Sequence, residues 1–352
     1  MVKAADRPTA PAASMAATER PCPRFSGIDA WEPQDALDAM IEAQFAAVAS
    51  VRAARGAIAG AVAALEARLG ERGRLIYAGA GTSGRLAVQD GAELMPTFNW
   101  PPERLVLLMA GGREALLKAV EGAEDEIANA REQVAQQGVG PSDALIAVAA
   151  SGTTRFTLAC LQEAKRRGAL TIGIANNPGT PILAEAEHAI FLDTGPEPIA
   201  GSTRMNAGTA QRIALNLLSS LLMIRLGRVY RGLMVDVQAS NAKLARRREA
   251  IVRRLTGRSV QEAHDALARG GGNVKLAVLL LDGCDLDLAR AVLDRAGGRL
   301  GAAVALLARD REAGAGKRAS GVGRRLSRGE SGNRVSAVGR RHVREESKLG
   351  KH

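Results

Sequence analysis

Residues 73–94 read "GRLIYAGAGTSGRLAVQDGAEL", an apolar stretch running into a glycine-rich turn. Gly79, Gly81 and Gly84 fall on GxGxxG spacing, and Thr82 and Ser83 place two hydroxyls inside the turn. A turn between a strand and a helix leaves N–H groups free at the positive end of the helix dipole, and glycine lets an anion approach the backbone closely. The chemistry on offer is phosphate binding. A dinucleotide site also needs an acidic residue at the end of the second strand, about 20 residues on, to hold the ribose. Here "RLVLLMA" (104–110) runs into Gly111-Gly112, and Glu103 precedes it. A P-loop fails too, because Arg85 follows Gly84 where a lysine is required.

A second unit repeats the build. "ALIAVAASGTTRFTLACLQEAKRRGALTIGIANNPG" is again strand, small polar turn, helix, strand, with Ser151, Gly152, Thr153 and Thr154 in the turn. Hydroxyls beside exposed N–H groups are neutral donors for phosphate oxygens or sugar hydroxyls. Two such turns on one sheet can share a single phosphorylated polyol. The competing reading is helix capping, which is expected to occupy one or two of these side chains without excluding binding.

The elements that must hold these turns alternate. Strands are predicted at 74–78, 104–110, 144–150, 170–175 and 188–193, with helical stretches starting near Gly84, Arg113, Glu124, Thr154 and Pro181. Apolar strands alternating with helices argue for an α/β fold, a parallel sheet with helices on both faces. A helical period also runs through "PQDALDAMIEAQFAAVASVRAARGAIAGAVAALEARLG", with Gly70 and Gly73 as stops. The stretch 206–227 is apolar on many sides and reads as a helix at a buried interface. The expected organisation is a loose Pro- and Ala-rich segment over 1–25, with Met15 an alternative start. The α/β domain follows over 26–257, then a small helical, UBA-like module over 258–308 and a basic tail over 309–352.

The chain has 352 residues, 46% apolar and only 3% aromatic, so its core must be aliphatic. Its net charge is +11, but the tail holds thirteen Lys and Arg against five Asp and Glu, leaving about +3 for the rest. The tail lacks Phe, Trp and Tyr and is expected to be disordered. With no aromatic platform among its arginines, RNA binding is the lesser reading, confined to this tail. No run of about 18 apolar residues occurs, and no membrane partner is expected. Cys22, Cys160 and Cys284 are isolated, as suits reduced thiols in the cytoplasm. No histidine pairs with other ligands at metal-binding spacing, so no metal is expected.

Taken together, "GAGTSGRL", "AASGTT" and "NNPG" resemble the sugar isomerase (SIS) phosphosugar-binding fold. More narrowly, "YAGAGTSGRLAVQDGAELMPTF", "AGGREALLKAVEGAEDE", "GSTRMNAGTAQRIALNLLS" and "GLMVDVQASNAKLARRR" resemble the N-acetylmuramic acid 6-phosphate etherases, from about Thr18 to about Leu307. Two departures stand out: "ELMPT" where the family usually has Glu-Cys-Pro-Pro-Thr, and Asn206 where a basic residue is common. The resemblance implies cleavage of the lactyl ether at C3 of a phosphorylated amino sugar, without organic cofactor or metal, by a cytoplasmic homodimer. It also implies the catalytic pair, Glu93 as proton donor to the departing lactate and Glu124 as base, and adds Ser202 to the substrate-binding residues. From the residues alone, the favoured reading makes Glu93 a solvated helix-end residue and Glu124 a helix-terminal charge. A straight helix from Ser83 to Glu93 would part them by roughly 15 Å. Either that helix ends early, or Glu93 serves a site built with a second subunit. Two other functions fit the same fold: a non-catalytic sugar-phosphate sensor like the glucokinase regulators, and an aldose–ketose isomerase.

Overall fold

The computed structural model describes residues 15–238 and 242–312. Three short 3-10 turns, Ala17–Glu19, Pro23–Phe25 and Ile28–Ala30, lead into α1 (Pro33–Ala53) and α2 (Arg55–Leu69). The alternating run is β1 (Leu75–Gly79), α3 (Gly81–Phe98), β2 (Leu105–Met109), α4 (Ile127–Gln136), β3 (Ala144–Val148), α5 (Arg155–Arg166), β4 (Leu170–Ala175), α6 (Pro181–Glu185) and β5 (His188–Phe191). After α7 (Asn206–Arg225) come a hairpin of β6 (Val229–Tyr230) and β7 (Leu233–Met234), then α8 (Ala242–Thr256), α9 (Val260–Arg269), α10 (Val274–Leu281) and α11 (Leu286–Arg295). Residues 300–312 are also helical.

β1 to β5 form one all-parallel sheet in the order β2-β1-β3-β4-β5. The predicted strands are therefore found, each within a few residues of its expected bounds. Alternation along the strands splits the core. Tyr77, Ile146 and Ile172 face α2, α3 and α7 on one side, while Ile76, Leu145 and Ala147 face α4 and α5 on the other. The order reverses between β1 and β3. β1 leads to α3 on one face and β3 leads to α5 on the opposite face, so a crevice opens between their carboxyl ends. In open α/β sheets this is where ligands bind.

Several expectations need correction. The helical stretch before β1 is two helices meeting at 52°, broken at Ala54, two residues before Gly56. Near Arg113 there is only the 3-10 turn Gly112–Leu116, whereas the helix expected near Glu124 is α4, which begins at Ile127 just after the 3-10 turn Ala123–Asp125. Four apolar residues of α7, Ala210, Ala214, Leu218 and Leu222, are completely buried in the cluster shared with α1, α2 and α3, while Leu217 and Ile224 of the same helix are exposed. Residues 15–25, expected to be loose, carry two of the 3-10 turns, and Thr18 is buried. Among the described residues no single helix is long and apolar enough to cross a membrane.

The C-terminal helices have a core of their own, including Val252, Ala263, Ala277, Leu279 and Val292. Their caps are conventional: Ser259 and Glu262 make a reciprocal capping box on α9, and Asn273 and Asp285 cap α10 and α11. Arg299 reaches Glu66 of α2 at 2.6 Å and so ties this module to the α/β domain. The tail expected from 309 begins inside the last helix. Residues 313–352, with the RNA reading that depended on them, lie outside the described residues.

Candidate functional site

The first turn is shaped by contact between glycines. A Cβ on Gly84 would lie 2.4 Å from Met109 Sδ and 2.7 Å from the Gly79 carbonyl carbon, so α3 can start this close to β1 only without side chains there. Gly81 has φ +53, which favours glycine, and a Cβ there would meet open space. The GxGxxG spacing thus serves close strand–helix packing and leaves the first helical residue bare toward the crevice. The N–H of Gly84 donates to Ala80 O at 2.9 Å. Those of Gly81, Thr82 and Ser83 have no acceptor among the described residues, and Ala80 supplies no side-chain cap.

The second turn is self-braced. Gly152 has φ +69 and sits where a Cβ would fall 2.1 Å from Thr180 Oγ1. The Thr153 N–H donates to Ser151 Oγ at 3.2 Å, and Ser151 Oγ lies 3.2 Å from Thr154 Oγ1. Thr154 occupies the N-cap position of α5 but makes no side-chain cap, so the N–H groups at the start of α5 are also left over. The capping reading fails for both turns, because no threonine or serine hydroxyl is spent on a helix terminus.

A cleft of about 530 Å³ joins the two turns. Gly81, Thr82 and Ser83 line one wall, and Ser151, Thr153 and Thr154 line the other. Glu124 enters from the 3-10 turn after β2, at the border with a second cavity of about 250 Å³. That turn is held by Asp125, 3.8 Å from Arg155, and the preceding loop by Arg85, whose Nε donates to Ala115 O at 2.8 Å. Gly84 and Gly152 lie behind the walls and shape them. Ser202 is not among the lining residues; its neighbour Thr203 is.

Glu93 is elsewhere. α3 continues without a break to Phe98, which removes the option of an early end, and places Glu93 exposed on its fourth turn. Twelve residues beyond Gly81, at about 1.5 Å each, put it roughly 18 Å along the helix axis from the cleft. Glu19 is a lining residue that sequence reasoning missed. Nothing in its local pattern marked it, since it reaches the cleft through contacts with distant loops.

Thr203 belongs to a loop fixed by Glu197, fully buried, whose carboxylate accepts from Asn206 N at 2.7 Å and Ala207 N at 2.9 Å. Burial raises this carboxyl above its ordinary value, and the two backbone donors oppose the rise. Asn206, the departure from the usual basic residue, spends its side chain accepting from Gln44 Nε2 at 2.8 Å. This interaction fastens α1 to the start of α7.

A curated relative from Deinococcus radiodurans, named N-acetylmuramic acid 6-phosphate etherase, is 49% identical over 80% of this chain and 92% of its own length. The chain belongs to the N-acetylmuramic acid 6-phosphate etherase family. Another etherase, from Cutibacterium acnes, is 41% identical over 83% of this chain and 96% of its own. Within the chain, residues 125–221 match the SIS domain model, and residues 57–165 match the model of the glucokinase regulatory protein N-terminal SIS domain. Among solved structures, a phosphoheptose isomerase from Francisella tularensis aligns with a TM-score of 0.42 at 21% identity, over 55% of this chain and 100% of that one. Both turns and Glu124 of this etherase-family chain fall inside the region spanned by the two SIS models.

Proposed function

We propose that this cleft carries out etherase chemistry on N-acetylmuramic acid 6-phosphate, giving D-lactate and N-acetylglucosamine 6-phosphate in the recycling of cell-wall amino sugars. The observation that carries the reading is the placement of Glu124 in one cleft with two hydroxyl-bearing turns whose helix N–H groups are free. The turns bind phosphate and sugar hydroxyls. Opening of the sugar ring puts the C2 proton next to an aldehyde, and Glu124 removes it. The C3–O bond then breaks, with the leaving lactate oxygen taking a proton from an acid, and a C2–C3 double bond remains. Water adds hydroxyl at C3 and a proton at C2. Base and acid need opposite protonation states, which different surroundings impose on two like groups.

Glu93 serves as the acid in this reading only if it approaches from a second copy of the chain. An apolar stripe on α1 supports a homodimer: Leu37, Ile41, Phe45 and Val48 recur at helical spacing and are 53%, 48%, 68% and 54% exposed. The three free thiols support a cytoplasmic setting. An acid–base pair distinguishes this function from a sensor, which needs neither group, and the acid from an isomerase, which has no C3 leaving group.

The test is turnover of N-acetylmuramic acid 6-phosphate in heavy-oxygen water. Release of lactate with label at C3 of the sugar supports the proposal. Absence of lactate removes it.

A further inference from the structure

The cleft has an electrostatic deficit. Glu19, Glu124 and Asp125 line it against one cation, Arg155, and that cation stands 3.8 Å from Asp125. A phosphate monoester brings nearly two more negative charges, and the α5 turn meets it with neutral donors and a helix dipole. Beside the cleft lies a hollow of about 360 Å³ that shares Ser151 and Thr153 with it. Arg20 lines this hollow, exposed; its backbone N–H donates to Ala17 O at 3.4 Å, and its guanidinium has no hydrogen-bond, ion-pair or ring partner among the described residues.

Arg20 is held in place by its neighbours. Thr18 N donates to Asn177 Oδ1 at 3.4 Å, and Asn177 Nδ2 donates to Thr18 Oγ1 at 3.0 Å and to Ala150 O at 2.9 Å. Gly201 N donates to Thr18 O at 3.0 Å. The segment is therefore tied to the ends of β3 and β4 and to the loop that carries Thr203. Glu19 is delivered to the cleft and Arg20 to the outer side of the Ser151–Thr154 turn.

We propose that Arg20 is a substrate-binding residue whose guanidinium grips the 6-phosphate of the bound sugar from outside the Ser151–Thr154 turn. A guanidinium fork matches two phosphate oxygens at once and stays charged at any working pH. The proposal rests on the etherase reading for the identity of the sugar, and on the geometry of the hollow for the role of Arg20.

The experiment uses the full chain as wild type, R20Q and R20K. N-acetylglucosamine 6-phosphate, which has the phosphate but no lactyl carboxylate, is titrated calorimetrically, and turnover of N-acetylmuramic acid 6-phosphate is followed in parallel. R20Q is expected to weaken binding of the titrated sugar and raise KM, each roughly 10- to 100-fold, as for a lost charge-assisted hydrogen bond, with kcat within about twofold. R20K restores most of the loss, and salt narrows the gap between wild type and R20Q. Unchanged binding of the titrated sugar in R20Q overturns the proposal, as does an R20K variant no better than R20Q. A KM rise confined to the lactyl substrate assigns Arg20 to the carboxylate and overturns it as well. Should the wild type release no lactate, the etherase reading fails, while the titration still decides the role of Arg20.

Discussion

The Tyr77 hydroxyl donates to Asp90 Oδ2 at 2.9 Å, linking β1 to α3. Ser219 Oγ of α7 donates to the other oxygen at 3.2 Å, and Arg212 approaches to 3.9 Å. Burial pushes the Asp90 carboxyl above its ordinary value, against the opposing effect of these neighbours. A carboxyl raised on folding contributes stability that is full below the unfolded value, about 3.9, and is lost as pH rises through the folded value. D90N cannot titrate, and its amide can still meet Tyr77 and Ser219. Thermal melts of D90N and wild type should therefore shift in favour of D90N as pH rises from about 4 toward neutrality. A gap constant across that range would refute the linkage.

Gly84 is irreplaceable for steric reasons. G84A places a methyl against Met109 and Gly79, with backbone on one side that cannot yield. Overpacking of this kind costs about 1–3 kcal/mol, outweighing the gain in helix propensity of about 1 kcal/mol. A lowered Tm with weakened phosphosugar binding is expected; an unchanged Tm would count against the close contact.

E124Q should fold normally, because the side chain is exposed. Removing a general base typically costs 10²–10⁴-fold, so kcat is expected to fall by roughly that much with little change in binding of the product sugar. Activity within about tenfold of wild type would remove Glu124 from the base role.

Mixing E93Q with E124Q chains tests the shared site. If Glu93 acts across a twofold interface, random exchange gives dimers with one intact site, and about a quarter of wild-type activity returns from two inactive parents. If both glutamates act within one chain, mixing restores nothing. F45D, which puts a charge in the α1 stripe, should yield monomers by light scattering and lose lactate release with them.

The sheet and both turns were legible because their signals are local: continuous apolar runs mark buried parallel strands, and glycines with hydroxyls mark the turns. The break at Ala54 was not, because the apolar period runs on through it and the nearby glycine, Gly56, sits inside α2. The apolar sides of α7 were visible, but not their partners, since Ala210 and Leu218 are equally apolar whether covered by the same chain or by another. Glu19 gave no signal, because its place depends on Thr18 meeting Asn177, 159 positions away.

That separation also sets an order of assembly. The ribosome makes Thr18 long before Asn177 and Gly201 exist to receive it, so Thr18 takes its place only after they are made. A nascent chain lacks this wall until the sheet is complete.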